Sequence, residues 1–241
     1  MNESEKKTVK RNLLTSALCL IMLLLMLLSS TLAWFTDSKH NVNTMVAGKI
    51  SISQTETDAQ GNPFVGTNFV MMPNVPITKN VTVTNEGNQP AYVRTLFAFE
   101  DSNDVDILPL LILEGGESEI EIPGVTNGEE KIQFTVIKDG KTTLFTVGYY
   151  LHLGQLEVGG SINPLQSIML TGRAGNEWQT AVGDYYELIV LSQASQVAGL
   201  GDDAGVALDT AFDVISGASC AKWFALVLNG TVSGTTITVN S

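Results

Sequence analysis

The chain has 241 residues, with 25 acidic against 13 basic side chains, a formal net charge of −12 and two cysteines. That length accommodates one large domain or two small ones, each with an apolar core. The acidic balance argues against a nucleic-acid partner, which needs a lysine and arginine footprint. Cys19 and Cys220 are too few for a disulfide scaffold or a cysteine-built zinc site.

In chain order, the first feature is a cationic cluster, Lys6, Lys7, Lys10 and Arg11, followed by the nearly unbroken apolar run Leu13–Leu28. Ser29-Ser30-Thr31-Leu32-Ala33 comes next, with Thr31 at −3 and Ala33 at −1 of a cleavage point before Trp34. A positive region, an apolar core and a small-residue exit make a secretory signal peptide. The run is short for a membrane span of about 20 residues, and an uncleaved signal anchor is the rival reading. The expected organisation is therefore a signal helix over 1–33, a leader over 34–46 and a single domain over 47–241. Cleavage removes four bases and two acids, so the mature chain carries −14 and a lone cysteine. Cys220, set among apolar residues in GASCAKWFALVL, reads as a small buried hydrophobe.

Beyond residue 45 alternation with period two dominates. Ile50 and Ile52 alternate with polar residues. NVTVT and AYVRTLFAF flank Asn85-Glu86-Gly87-Asn88 and read as a hairpin. Ile120 and Ile122 alternate with glutamates up to Pro123-Gly124. Ile132, Phe134 and Val136 lead to Asp139-Gly140, a type I′ hairpin signal, and LFTVGYYLHL returns as the partner. YYELIVL near 185–191, AKWFALVLN near 221–229 and the final TTITV complete the predicted strands. The segment 202–215 instead places Ala204, Ala207, Leu208, Ala211, Phe212 and Ile215 at helical spacing, with Asp202 as N-cap and Gly217 beyond its end. A second, weaker helical pattern covers 161–170. The sum is a mainly β fold, a jelly-roll-like or immunoglobulin-like antiparallel sandwich with one or two short inserted helices.

Motifs of catalysis are nearly absent. His40 and His152 are the only histidines, and neither belongs to H-E-x-x-H or a close ligand pair. No G-x-S-x-G occurs, and Cys220 has no evident histidine partner. Gly199, Gly201 and Gly205 are spaced one residue too widely for a dinucleotide loop and lack a βαβ setting, so they read as a linker and helix start. Asp101, Asp104 and Asp106 lack the glycine and distal glutamate of a calcium loop and read as a solvated turn. No catalytic, cofactor or metal residue is assigned.

The junction TLAWFTDSKHNVNTMVAGKISIS resembles the start of the TasA/camelysin family, proteins secreted by Gram-positive bacteria and processed by a SipW-type signal peptidase. ITKNVTVTNEGNQPAYVRTLF resembles that family's strand, Asn-x-Gly-Asn turn and Ala-Tyr-Val-Arg strand, and SQASQVAGLGDDAGVALDTAF its Gln-rich strand exit and Ala-rich helix. The resemblance implies a jelly-roll-like sandwich acting as a biofilm-matrix or surface-fibre subunit, secreted and self-associating. It implies contact with the membrane only through the signal peptide, before cleavage. It further implies a donor strand within Trp34–Val46, with Trp34, Phe35, Val42, Met45 and Val46 as its apolar groups, added to a neighbouring subunit by β-augmentation. Camelysin is described as a metallopeptidase, so an extracellular hydrolase is the alternative expectation, and a non-polymerising surface adhesin a second one.

Overall fold

The computed structural model describes residues 3–36, 48–65, 71–101, 108–116, 119–175 and 186–239. They fall into two units, divided at Ala47 and Gly48. The first unit holds one helix, α1 (Glu3–Thr36), which carries the cationic cluster and the apolar run without a break. Leu13, Leu14, Leu18, Leu20, Ile21 and Met22 are each more than half exposed on it. Among the described residues, no single helix is long and apolar enough to cross a membrane.

The second unit is mainly β. Four strands, β1 (Ile52–Thr57), β2 (Ile77–Asn85), β4 (Leu111–Glu114) and β7 (Ser161–Leu170), form one antiparallel sheet in the order β1-β2-β7-β4. Six strands form the other: β3 (Ala91–Asp101), β5 (Gln133–Lys138), β6 (Lys141–Leu151), β8 (Leu188–Gln196), β9 (Gly230–Ser233) and β10 (Thr236–Val239). Their order is β8-β3-β6-β5-β10-β9, and β10 runs parallel to β5, so this sheet is mixed where an antiparallel one was expected. Two helices, α2 (Ala204–Phe212) and α3 (Gly217–Leu228), sit between β8 and β9 in the chain.

Alternation explains how these elements stack. Val81, Leu165 and Ile168 of the four-stranded sheet meet Phe97, Phe99, Tyr150 and Val190 of the six-stranded sheet in one apolar cluster. The next residues along each strand point the other way. Leu96, Ala98, Phe134, Val136, Phe145 and Val147 meet Cys220, Ala221, Phe224 and Ala225 of α3. Phe134 stacks between Phe145 and Phe224, with ring centroids 5.5 and 5.2 Å away. Tyr92 and Leu151 meet Ala204, Ala207 and Leu208 of α2. All eleven residues of β3 are therefore buried, because one face meets the second sheet and the other meets helices. Each fully buried aromatic ring there contributes roughly 2–3 kcal/mol by leaving water.

The Asp139-Gly140 hairpin between β5 and β6 is present, with φ of 52° and 76° at its two central residues, as type I′ requires. Other expectations are corrected. The predicted hairpin of β2 and β3 does not form: β2 pairs with β1 and β7, β3 with β6 and β8, and the turn between them crosses from one sheet to the other. The buried Asn85 side chain fixes that crossing by donating to the carbonyls of Gln89 and Leu156, both at 2.9 Å. Residues 161–170 form strand β7, not a helix. Its pairing with β2 shifts register twice around Val81, near Pro164, and that irregularity turns a two-residue apolar period into the three-residue spacing of Ile162, Leu165 and Ile168. Residues 221–229 are not a strand but most of α3, started by a Ser216–Ser219 capping box and ended by Asn229 in the left-handed region. The N-cap of α2 is Asp203 instead of Asp202, and the helix stops at Phe212, short of Ile215. Ile120 and Ile122 flank a single bridge, Glu121 to Tyr149, and build no strand.

Candidate functional site

Among the described residues the two sheets have four edges, and an edge strand displays backbone groups that another strand can use. Three of them are short or guarded. β4 and β9 have four residues each, and β1 carries Glu56, whose carboxylate is paired with the buried Lys79 beneath the Phe64 ring. The fourth, β8, is nine residues long, LIVLSQASQ, and contains no charge, proline or glycine. Among the described residues its one strand partner is β3.

The direction of the backbone groups on β8 that do not face β3 follows from two bonds. The Glu100 amide donates to the Glu187 carbonyl, and the Val190 carbonyl accepts from a side chain outside the sheet. In an antiparallel ladder both backbone groups of a residue point the same way and alternate along the strand. Leu188, Val190, Ser192 and Ala194 therefore turn their N–H and C=O outward, away from β3.

Beside this edge runs a largely apolar groove of 410 Å³. Ile50 and Ile52 form one wall and Leu191 another, while Phe212, Trp223, Leu226 and Val227 of the helical layer close the third side. Leu226 is 80% exposed, an unusual position for a leucine unless something covers it. The polar contacts at the seam are few. Gln54 of β1 donates from Nε2 to the Val190 carbonyl at 3.3 Å and to Glu56 at 3.1 Å, and its Oε1 accepts from the Ser192 hydroxyl at 2.8 Å. The Ser192 and Thr95 hydroxyls lie 2.9 Å apart.

The floor of the helical layer is held by Arg94, which is buried. Its Nε donates to Gln193 and its Nη1 to Asp209, both at 2.7 Å, its Nη2 donates to the Asp213 carbonyl at 3.1 Å, and its guanidinium lies 5.1 Å from the Trp223 ring centroid. Burial lowers the Arg94 pKa, and the hydrogen bond and charge of Asp209 oppose that shift. Cys220 is buried as expected, and burial pushes its thiol up to about 12, far from a nucleophile at neutral pH.

Of the residues singled out from sequence, Thr31, Ala33, Trp34 and Phe35 lie in the last turns of α1. Val42, Met45, Val46 and His40 lie outside the described residues, as do Asp104 and Asp106. Asp101 is not in a solvated turn: it ends β3, is buried, and its carboxylate accepts from Thr146 at 2.6 Å, Lys131 at 3.2 Å and Gln133 at 3.3 Å. His152 is half-buried on a shallow polar cleft with Glu157, Ser161, Asn163 and Gln166. Among the described residues, no group of three or more His, Cys, Asp or Glu side chains is placed to hold a metal ion. The β8 edge and Gln54 did not stand out in the sequence. The signal that marks the edge is negative: a long β run without a charge in a chain that is otherwise acidic. No protein-family model matches the chain, and no curated protein matches it.

Proposed function

We propose that this chain is a secreted structural subunit of extracellular matrix or surface fibres, a member of the TasA/camelysin group with a jelly-roll-like sandwich. A SipW-type peptidase releases it before Trp34, and it then polymerises as the leader of one subunit adds to β8 of the next. The observation that carries this reading is the uncharged nine-residue edge of β8 beside an apolar groove. Strand addition supplies backbone hydrogen bonds from the edge and pockets for alternate side chains from the groove. The leader, residues 34–46, has thirteen residues and spans roughly 43 Å when extended, against about 30 Å for β8. Trp34, Phe35, Val42, Met45 and Val46 provide apolar groups for Trp223, Leu226 and Val227 to receive. A head-to-tail contact of this type does not close on itself and propagates into a filament.

Electron microscopy of the chain beginning at Trp34, with and without residues 34–46, tests the reading. Filaments are expected only from the chain with its leader. Filaments of unchanged form without the leader would sink strand addition as the mechanism. A leader folded back onto its own β8 would instead give a monomer by size exclusion at every concentration.

A further inference from the structure

We propose that Gln54 is a latch on the acceptor edge, filling the place of one peptide group of the added strand until that strand arrives. This rests on the strand-addition reading and assigns it a control point. A carboxamide is chemically a peptide group, with one carbonyl and N–H donors. Gln54 uses its N–H as an added strand would use its backbone, Nε2 donating to the outward carbonyl of Val190, while Oε1 is held by the side-chain hydroxyl of Ser192 two residues on. The side chain thus spans from the edge of one sheet to the edge of the other, from β1 to β8.

The geometry makes the latch releasable. The Nε2 to Val190 distance is 3.3 Å, longer than the usual 2.9–3.0 Å of an amide bond, so an incoming backbone N–H makes the better partner. When displaced, Nε2 keeps Glu56 at 3.1 Å, and Glu56 is held in place by Lys79, itself covered by Phe64. Gln54 is half-buried, so water can satisfy the proton it frees. Until then the middle of an unguarded edge is occupied, which hinders pairing by strands that lack the leader's side chains. The latch does for β8 what a charge or proline does on other edges, and leaves the edge usable.

The test uses the chain beginning at Trp34, held below its assembly concentration and titrated with a labelled synthetic peptide of residues 34–46. Gln54→Ala is expected to bind the peptide about fivefold more tightly than wild type, the worth of one exchanged hydrogen bond, and to assemble at a correspondingly lower concentration. Ser192→Ala, which loosens the other end of the carboxamide, shifts both readouts the same way and covers the case in which Gln54→Ala fails to fold, as judged by its melting curve. Peptide binding that is equal in wild type and in the folded variants overturns the latch and leaves strand addition standing. No peptide binding by any of the proteins overturns strand addition, and the latch with it.

Discussion

A buried guanidinium is tolerable only when its donors are matched, and Arg94 illustrates how the matching joins layers. Gln193 lies beside it on β8, Asp209 reaches in from α2, the carbonyl of the C-cap residue Asp213 accepts from Nη2 at the end of the same helix, and the Trp223 ring covers the plane from α3. A lysine could not replace it, since a single ammonium cannot fork to three acceptors and stack on a ring. Asp209→Ala leaves the charge buried without its counterion. Because the Asp209 side chain is 38% exposed, water recovers part of the loss, and the expected cost is about 2 kcal/mol instead of the 3–5 of a fully buried pair. Urea unfolding monitored by Trp223 fluorescence checks this, and a change below about 0.5 kcal/mol would mean that the carboxylate contributes nothing to holding α2.

The elements divide into those that seal the sandwich and one that leaves it open. β3, covered on both faces, cannot be touched without cost, whereas β8 pairs with a strand on one edge only among the described residues and meets Gln54 on the other. Leu226 lines the groove from α3 with most of its surface in water, so Leu226→Glu should shift stability by less than about 0.5 kcal/mol. If the groove receives the leader, the same change should abolish filament growth in light scattering, and filaments at the wild-type rate would place the acceptor elsewhere. Much of this architecture was legible in the sequence. The Asp139-Gly140 hairpin, the terminal strand and the amphipathic α2 follow from local chemistry, because turn type and periodicity are set by neighbours in the chain. What was not legible depended on partners far away. The turn after Asn85 has hairpin residues, but the carbonyl of Leu156 that Asn85 binds is 71 positions on, and it directs the chain to the other sheet. In β7 the irregular register around Val81 masked a strand as a helix. In α3 the aromatic and β-branched residues Trp223, Phe224 and Val227 suggested a strand, although Ser216 and Asn229 already marked the two ends of a helix. The β8 edge is a property of sheet order, and local pattern carries no record of which strand ends last.

At the scale of the whole molecule, charge and topology set opposite demands. The chain carries −12, and would carry −14 without residues 1–33, so two copies of it repel as they approach. β8 itself adds no charge to that repulsion. Raising sodium chloride from low concentration to about 0.15 M contracts the screening length to about 8 Å, and the filament growth proposed above should accelerate. Turbidity at constant protein concentration reads this out, and a rate independent of salt would remove net charge as a control on assembly. The parallel pairing of β10 with β5 has a further consequence, one of timing. β5 is made about a hundred residues before the strand that lies against it. Until Thr236–Val239 emerges, Ile237 is missing from the cluster around Phe134 and Phe224, and the largest core cannot be completed. Long-range pairing of this kind delays completion of the core until that strand is made. Until that strand joins, Phe134 and Phe224 lack one of their covering side chains, so a nascent chain carries an unfinished core.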